Sequence, residues 1–262
     1  MRNRRSHFFL SLCLFACLFA AACGGEKERA PEAQAKDTAG GKKGAPGGAP
    51  GPGVAPPMTT PAKVAGGWMR DVPAQGFEGR EGFQLDEDGT LHLVNIYTMN
   101  GLAWQLNGDQ LQFLCNTERY TEPQMSKLAL LNVDENSLLA ESGDYFTGNY
   151  ERAQLARVTG SVAYRERIAL TEDAVLRVTI RDLEERDRIV GQRLIYHPGQ
   201  VPIEFSVVYN PGVIDEAHRY EIRAEIVDKE RLAFVTSQTY PVITQGGPSK
   251  IEVLVRAADK SP

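Results

Sequence analysis

The sequence predicts an all-β chain: a small antiparallel barrel over residues 63–154, then a β-sandwich over residues 155–258, both carried behind a disordered tether. Three observations lead there. Short apolar runs of period two, punctuated by Asp-Gly and Asn-Gly turns, fill the first of these stretches. A second set of alternations restarts near Arg157. Ahead of both lies a stretch with almost no large apolar side chain, which has too little surface to bury to offset the entropy of ordering.

The chain opens with a basic region, Arg2, Arg4 and Arg5, ahead of an apolar run over residues 8–22. That run is short of the roughly 20 residues a membrane-spanning helix needs, so the layout is that of a cleaved signal peptide over residues 1–22. Small residues precede Cys23 and Gly24-Gly25 follow it. The stretch Leu18-Phe19-Ala20-Ala21-Ala22-Cys23 resembles the bacterial lipobox, and the resemblance implies cleavage between Ala22 and Cys23 with acylation of Cys23. Ala20 stands where the lipobox family usually has Leu. Leu14-Phe15-Ala16-Cys17 fits the consensus better but leaves too short an apolar core. The bland alternative is an ordinary secretory signal with an incidental cysteine. Gly24 and Gly25 also lack the aspartate that resembles an inner-membrane retention signal, so outer-membrane sorting is expected in a two-membrane cell.

Residues 23–62 form the tether, rich in Gly, Ala, Pro, Lys and Glu. As a flexible coil of about 39 residues it reaches roughly 35 Å. Its run Gly48-Ala49-Pro50-Gly51-Pro52-Gly53 mimics a phosphate loop, but the strand and helix that such a loop needs are not legible around it. Signal removal takes three of the 29 basic side chains and none of the 34 acidic ones, leaving a net charge near −8. That balance argues against nucleic acid as a partner and against electrostatic attraction to anionic lipid. The membrane contact is expected to be the lipid anchor. Cys13 and Cys17 leave with the signal and Cys23 is acylated, so Cys115 alone remains and no internal disulfide is possible. Within Leu111-Gln112-Phe113-Leu114-Cys115 it reads as a small buried hydrophobe.

In the barrel, residues 82–85, 90–96, 102–106, 110–115, 127–133 and 137–140 read as strands. The turns between them include Asp86-Glu87-Asp88-Gly89, Asn107-Gly108-Asp109 and Asp134-Glu135-Asn136. Gly66-Gly67-Trp68, Glu81-Gly82-Phe83-Gln84-Leu85, the segment from Asn95-Ile96 to Trp104, and Gly108-Asp109-Gln110-Leu111 resemble the short lipocalin-like domains of bacterial lipoproteins. That resemblance implies a barrel able to hold a small apolar ligand, with Trp68 near the start closing the core and Trp68 and Trp104 as the candidate ligand-binding residues. A filled barrel acting as a structural module is the alternative. Tyr145, Phe146 and Tyr150 either face such a ligand or finish the barrel's last strand, and Trp104 reads more readily as core.

In the sandwich, Val158-Thr159-Gly160-Ser161-Val162-Ala163-Tyr164 is one strand. Leu176, Val178 and Ile180 fall on one face of the next, with Arg177, Thr179 and Arg181 toward water. Further strands run over residues 201–209, 220–226, 231–239 and 251–255, and about seven strands in roughly 100 residues are the size of a β-sandwich. Pro202 makes its strand an edge or stands at its start. Val158 to Leu170, Ala174 to Thr179, Pro198-Gly199-Gln200-Val201-Pro202, Ile214-Asp215, His218-Arg219-Tyr220 and Tyr240-Pro241-Val242-Ile243-Thr244-Gln245-Gly246 resemble the YbaY-like lipoprotein domain, grouped with the YscW-type pilotins of type III secretion. The resemblance implies an outer-membrane lipoprotein of sandwich fold without known catalytic residues. A pilotin member of the group escorts secretin subunits to the outer membrane.

Enzymatic signatures are missing. His7 is lost with the signal, and His92, His197 and His218 lie in separate segments without ligand spacing or a nucleophile elbow. His92 reads as a solvent-facing strand position, while His197 and His218 read as turn or strand-end residues. Asp86-Glu87-Asp88, Glu184-Glu185 and Asp215-Glu216 read as solubilising turn charge, and Asp86 to Gly89 lacks the spacing of a calcium loop. The sequence therefore predicts a non-enzymatic envelope lipoprotein with no cofactor and no metal. It would act as an interaction or assembly accessory, engaging an envelope protein by strand addition or surface packing. The competing expectation is a carrier of a small apolar ligand in the first barrel.

Overall fold

The structure is a computed structural model that describes residues 59–72, 79–117 and 120–258. A single helical turn, α1 (Pro61–Val64), leads into β1 (Gly66–Asp71), β2 (Arg80–Leu85) and β3 (Leu91–Val94). Then come β4 (Asn100–Asn107), β5 (Gln110–Asn116), β6 (Gln124–Val133), β7 (Ser137–Glu141) and β8 (Gly148–Ala153). Their spatial order is β3-β2-β1-β8-β7-β6-β5-β4, all antiparallel. Chain neighbours pair except β3 and β4, which stand at the two ends of this order, and β8 returns to β1. The ring closes between β3 and β4 through one bridge, Thr90 to Ala103, and a 2.8 Å bond from the Trp104 amide to the Gly89 carbonyl. The expected turns hold it: Gly89 and Gly108 take positive φ, and Asp134 Oδ1 accepts from the amides of Asn136 and Ser137.

Aromatic side chains fill this barrel. Phe83 lies 4.9 Å from Phe113 and 4.8 Å from Tyr150, and Phe113 lies 5.1 Å edge-on to Phe146, with all four rings buried. Such pairs add about 0.5–1.5 kcal/mol each beyond the area they bury. One end is sealed by Trp68, whose indole N–H donates to Val64 O at 2.7 Å. The Arg152 guanidinium lies 4.0 Å over that ring and also donates to the carbonyls of Lys63, Ala65 and Glu135. At the other end the loop between β7 and β8 folds over Arg70 and Glu81, paired at 2.5 Å. Arg70 donates to the carbonyls of Tyr145 and Thr147, and the Tyr145 hydroxyl donates to Glu81.

The second set comprises β9 (Ala156–Ala163), β10 (Val175–Asp182), β11 (Arg188–Tyr196) and β12 (Ile203–Tyr209). It continues with a 3-10 turn at Pro211–Val213, β13 (Tyr220–Asp228), β14 (Arg231–Thr236), β15 (Pro241–Val242) and β16 (Lys250–Ala257). They form one sheet in the order β11-β10-β13-β14-β16-β9-β12, with β15 on β13 and a parallel pair at β16 and β9. Its end strands β11 and β12 lie side by side, so the two faces of the expected sandwich come from one curled sheet. Pro202 precedes β12, and β12 ends the ladder, as the sequence implies. Val158, Val162, Leu176, Val178, Ile180, Phe205, Ile222, Ile226, Phe234 and Val253 are all buried inside. Gly160 is required where β9 crosses Ile251, because a Cβ there would sit 1.8 Å from the Ile251 carbonyl oxygen.

The two sheets meet at their seams. β3 borders the open seam of the first sheet, and β11 and β12 are the ends of the second; both touch β3. Met69, Val94 and Val208 form a small buried cluster there, flanked by Ala153 and Leu155. Unpaired strand edges invite association with other chains, and here they cover each other. Among the described residues no helix is long and apolar enough to cross a membrane.

Candidate functional site

Two features of the surface stand apart from ordinary solvated sheet: the junction of the seams, and a cleft at one end of the second sheet. The junction is built from β3 and β4 on one side and β11 on the other. Arg193 of β11 donates to the carbonyls of Leu91 at 2.9 Å and Gly101 at 2.6 Å, one on each side of the first sheet's seam. Tyr97 OH donates to Ile189 O at 2.9 Å, Gln192 Nε2 to Tyr97 O at 3.3 Å, and the Leu194 amide to Asn100 Oδ1 at 3.4 Å. Burial holds the Arg193 guanidinium below its usual value.

Beside it, Asp86 accepts both Arg157 nitrogens, at 2.6 and 3.0 Å, and its Oδ2 lies 3.2 Å from His92 Nε2. Burial works against the Asp86 charge, but the bonds from His92 and Arg157 outweigh it and hold the carboxyl well below the usual range. His92 is the correction to a sequence expectation. It points out of the barrel as the alternation requires, yet the second sheet covers it and leaves it 5% exposed. Burial, reinforced by the charge of Arg193, depresses its proton affinity despite the Asp86 bond. Asp86 is likewise a junction residue rather than solubilising turn charge.

The cleft is lined by Asp173, Ala174, Val175, Tyr196, His197, Lys229 and Glu230 of the second sheet, with Thr121 from the loop between β5 and β6, and encloses about 500 Å³. A neighbouring recess adds Arg177 and Val227. The loops following β11 and β13 shape it: His197, Lys229 and Glu230 take positive φ, and the His197 amide donates to Ala174 O at 3.1 Å. Its lining mixes Val, Ala and Tyr with both signs of charge.

The remaining predicted residues fall as follows. Ala22 and Cys23 lie outside the described residues. Trp68 and Trp104 share one core, 0% and 8% exposed, and the Trp104 indole donates to Asp86 O at 2.7 Å. Cys115 is buried in that core, and burial pushes its thiol up to about 12. Tyr145, Phe146 and Tyr150 close the barrel end, with Tyr150 OH donating to Phe146 O at 3.0 Å. Thr179 is covered by its neighbours, and Arg181 Nε donates to it at 3.3 Å.

His218 stands at the start of β13, with Nδ1 2.9 Å from Asp182 Oδ2. That bond raises its proton affinity. Burial works against the Asp182 charge, but His218 and the amides of Glu185 and Glu184 keep the carboxyl low. Thr244 Oγ1 donates to the His218 carbonyl at 2.7 Å, tying the loop after β15 to the same corner.

Comparison with known proteins divides the chain where the two sheets do. Residues 153–255 match a family described as the type III secretion system lipoprotein chaperone, YscW. Residues 60–153 match a lipocalin-like family. Among curated proteins, an uncharacterized lipoprotein of Escherichia coli, YbaY, is 35% identical over 98 residues, covering 36% of this chain. The match takes in 52% of that relative, so the chain spans about half its length. Among solved structures, an alternative pilotin from the type II secretion system of Vibrio cholerae is 33% identical across 40% of this chain and 98% of its own, with a TM-score of 0.38. A lipocalin-like protein from Bacteroides thetaiotaomicron is 21% identical across 35% of this chain and 97% of its own, with a TM-score of 0.31.

Proposed function

From a chain that joins a lipocalin-like segment at residues 60–153 to a segment of the type III secretion system lipoprotein chaperone family at residues 153–255, we propose a non-enzymatic envelope lipoprotein that receives another envelope protein and assists its assembly, as a pilotin does. In this reading Cys23, exposed by cleavage after Ala22, carries the lipid. The anchor sits in the outer membrane facing the periplasm, and the tether lets the folded part reach its partner. The observation that carries the reading is the family match across the strands of the second sheet, from β9 to β16. No cofactor enters the proposal.

The fold narrows how the partner is met. Strand addition to β11 or β12 would have to displace the first sheet, whose seam already covers them. Surface packing is the better mode, and the cleft lined by Val175, Tyr196, His197, Lys229 and Glu230 is the surface of choice. A photo-crosslinker placed at Glu230 or His197 in living cells tests this. The expected result is one envelope protein captured from both positions and not from Asn107 on the first barrel. Failure of both positions to capture a protein while Asn107 does so would overturn it.

The lipocalin-like match supports a second reading, a small apolar ligand in the first barrel near Trp68 and Trp104. It ranks behind because Phe83, Phe113, Phe146 and Tyr150 occupy that interior. Saturable quenching of tryptophan emission by an apolar dye would raise it.

A further inference from the structure

The junction of the seams gathers several charged groups around one buried imidazole. His92 faces Asp86 and the exposed Asp88 from its own hairpin turn, Arg157 from β9 and Arg193 from β11. Asp88 is exposed, and its Oδ1 already accepts from the Thr90 amide. Among the described residues Asp86 is the carboxylate at bonding distance, and each of its oxygens also accepts from Arg157, so its charge is shared. Arg193 donates through Nη1 to two carbonyls, which are neutral and do not balance its charge. With His92 neutral, two guanidinium groups face one bonded carboxylate. A proton on His92 makes three cations against that carboxylate, and the repulsion is strongest between His92 and Arg193, the two shielded from water, whereas Arg157 is partly open to solvent.

We propose that this junction is an acid-sensitive latch: protonation of His92 drives the seams of the two sheets apart and exposes the edges of β3, β11 and β12. The motion needs no unfolding of either sheet. Residues 154 and 155 alone link β8 to β9, and apart from the small cluster of Met69, Val94 and Val208, with Ala153 and Leu155 packed against it, the junction is held by polar bonds. A neutral His92 fits the closed state, while the open state returns the ring to water, where imidazole takes a proton near pH 6.5. Acidification through that range therefore favours opening. An envelope protein meets such changes more directly than a cytosolic one, and the freed edges are strands able to accept a partner strand.

Hydrogen exchange on the full chain, corrected for the intrinsic pH dependence of amide exchange, tests the latch. Between pH 7.5 and 5.0, the Leu194 amide, bonded across the junction to Asn100 Oδ1, and the amides of residues 91–101 and 189–196 that face the junction rather than their own sheet should lose protection roughly tenfold or more, since one histidine supplies up to tenfold per pH unit. Residues 220–226 in the centre of the second sheet should not. His92→Gln keeps a neutral N–H donor toward Asp86 and should abolish the pH dependence. Arg157→Gln removes one of the competing cations and should shrink it. Equal protection of the junction at both pH values in the unmodified protein, or the same acid response in His92→Gln, would overturn the proposal.

Discussion

The guanidinium of Arg193 does at the first sheet's seam part of what a ninth strand would do: it meets the free carbonyls of Leu91 and Gly101. Hydrogen bonds to charged groups contribute about 1.5–3 kcal/mol, and a buried acceptor left unmade costs its desolvation. Arg193→Ala should therefore lower unfolding stability by about 2 kcal/mol in urea titration, a large fraction for a domain of this size. Histidine behaviour at this scale has two signs. His218 is raised by Asp182, so its stabilisation is complete below about pH 6.5 and is lost as pH rises through its folded value. His92 is depressed, so its contribution is complete above pH 6.5 and is lost as pH falls. Asp182→Asn should remove the loss of melting temperature on the alkaline side while leaving the His92 loss that begins just below pH 6.5 in place; an unchanged alkaline limb would count against the His218 assignment. Only part of this was legible in the sequence. His218 is readable as a strand-end residue, but alternation alone places His92 in solvent, because the groups that cover it come from residues 157 and 193, beyond any local window.

At the scale of elements, the strands that were easy to read are those with one face in a core and one in water. β6, β7, β9 and β13 alternate, and their limits fall close to those expected from period two. β1, β2 and β3 carry consecutive buried residues instead, as in Trp68-Met69 and all of β3, because the second sheet covers their outer face. β11 is not legible from alternation for the same reason. Its Gly191-Gln192-Arg193 core looks like a loop, yet Gln192 and Arg193 supply the polar bonds of the junction, and a Cβ on Gly191 would approach Val207 Cγ1 to 2.9 Å. Two substitutions test the elements. Gly160→Ala puts a methyl against the Ile251 carbonyl and should prevent the parallel pairing of β9 and β16, costing at least about 3 kcal/mol or preventing folding, as read by circular dichroism. Phe113→Ala empties the middle of the aromatic stack in the first barrel and should cost about 3–5 kcal/mol.

The whole molecule pairs two all-β units by covering the open seam of each with the other. That arrangement spends the strand edges on an internal contact and leaves loops, cleft and outer faces for partners, which is why surface packing replaces strand addition in the closed state. The all-β class, the order of the two units and the resemblance of each to its family were legible from turn chemistry and alternation. Their docking was not, since it joins residues 86–101 to residues 189–208 through single polar side chains. The functional account rests on a protein partner received by the second sheet and placed by an anchor at Cys23. Fractionation of the crosslinked partner in cells carrying Cys23→Ser tests that account most directly. The partner should leave the outer-membrane fraction together with the variant lipoprotein; a partner that reaches the outer membrane in full amount beside an unanchored Cys23→Ser chain would contradict it.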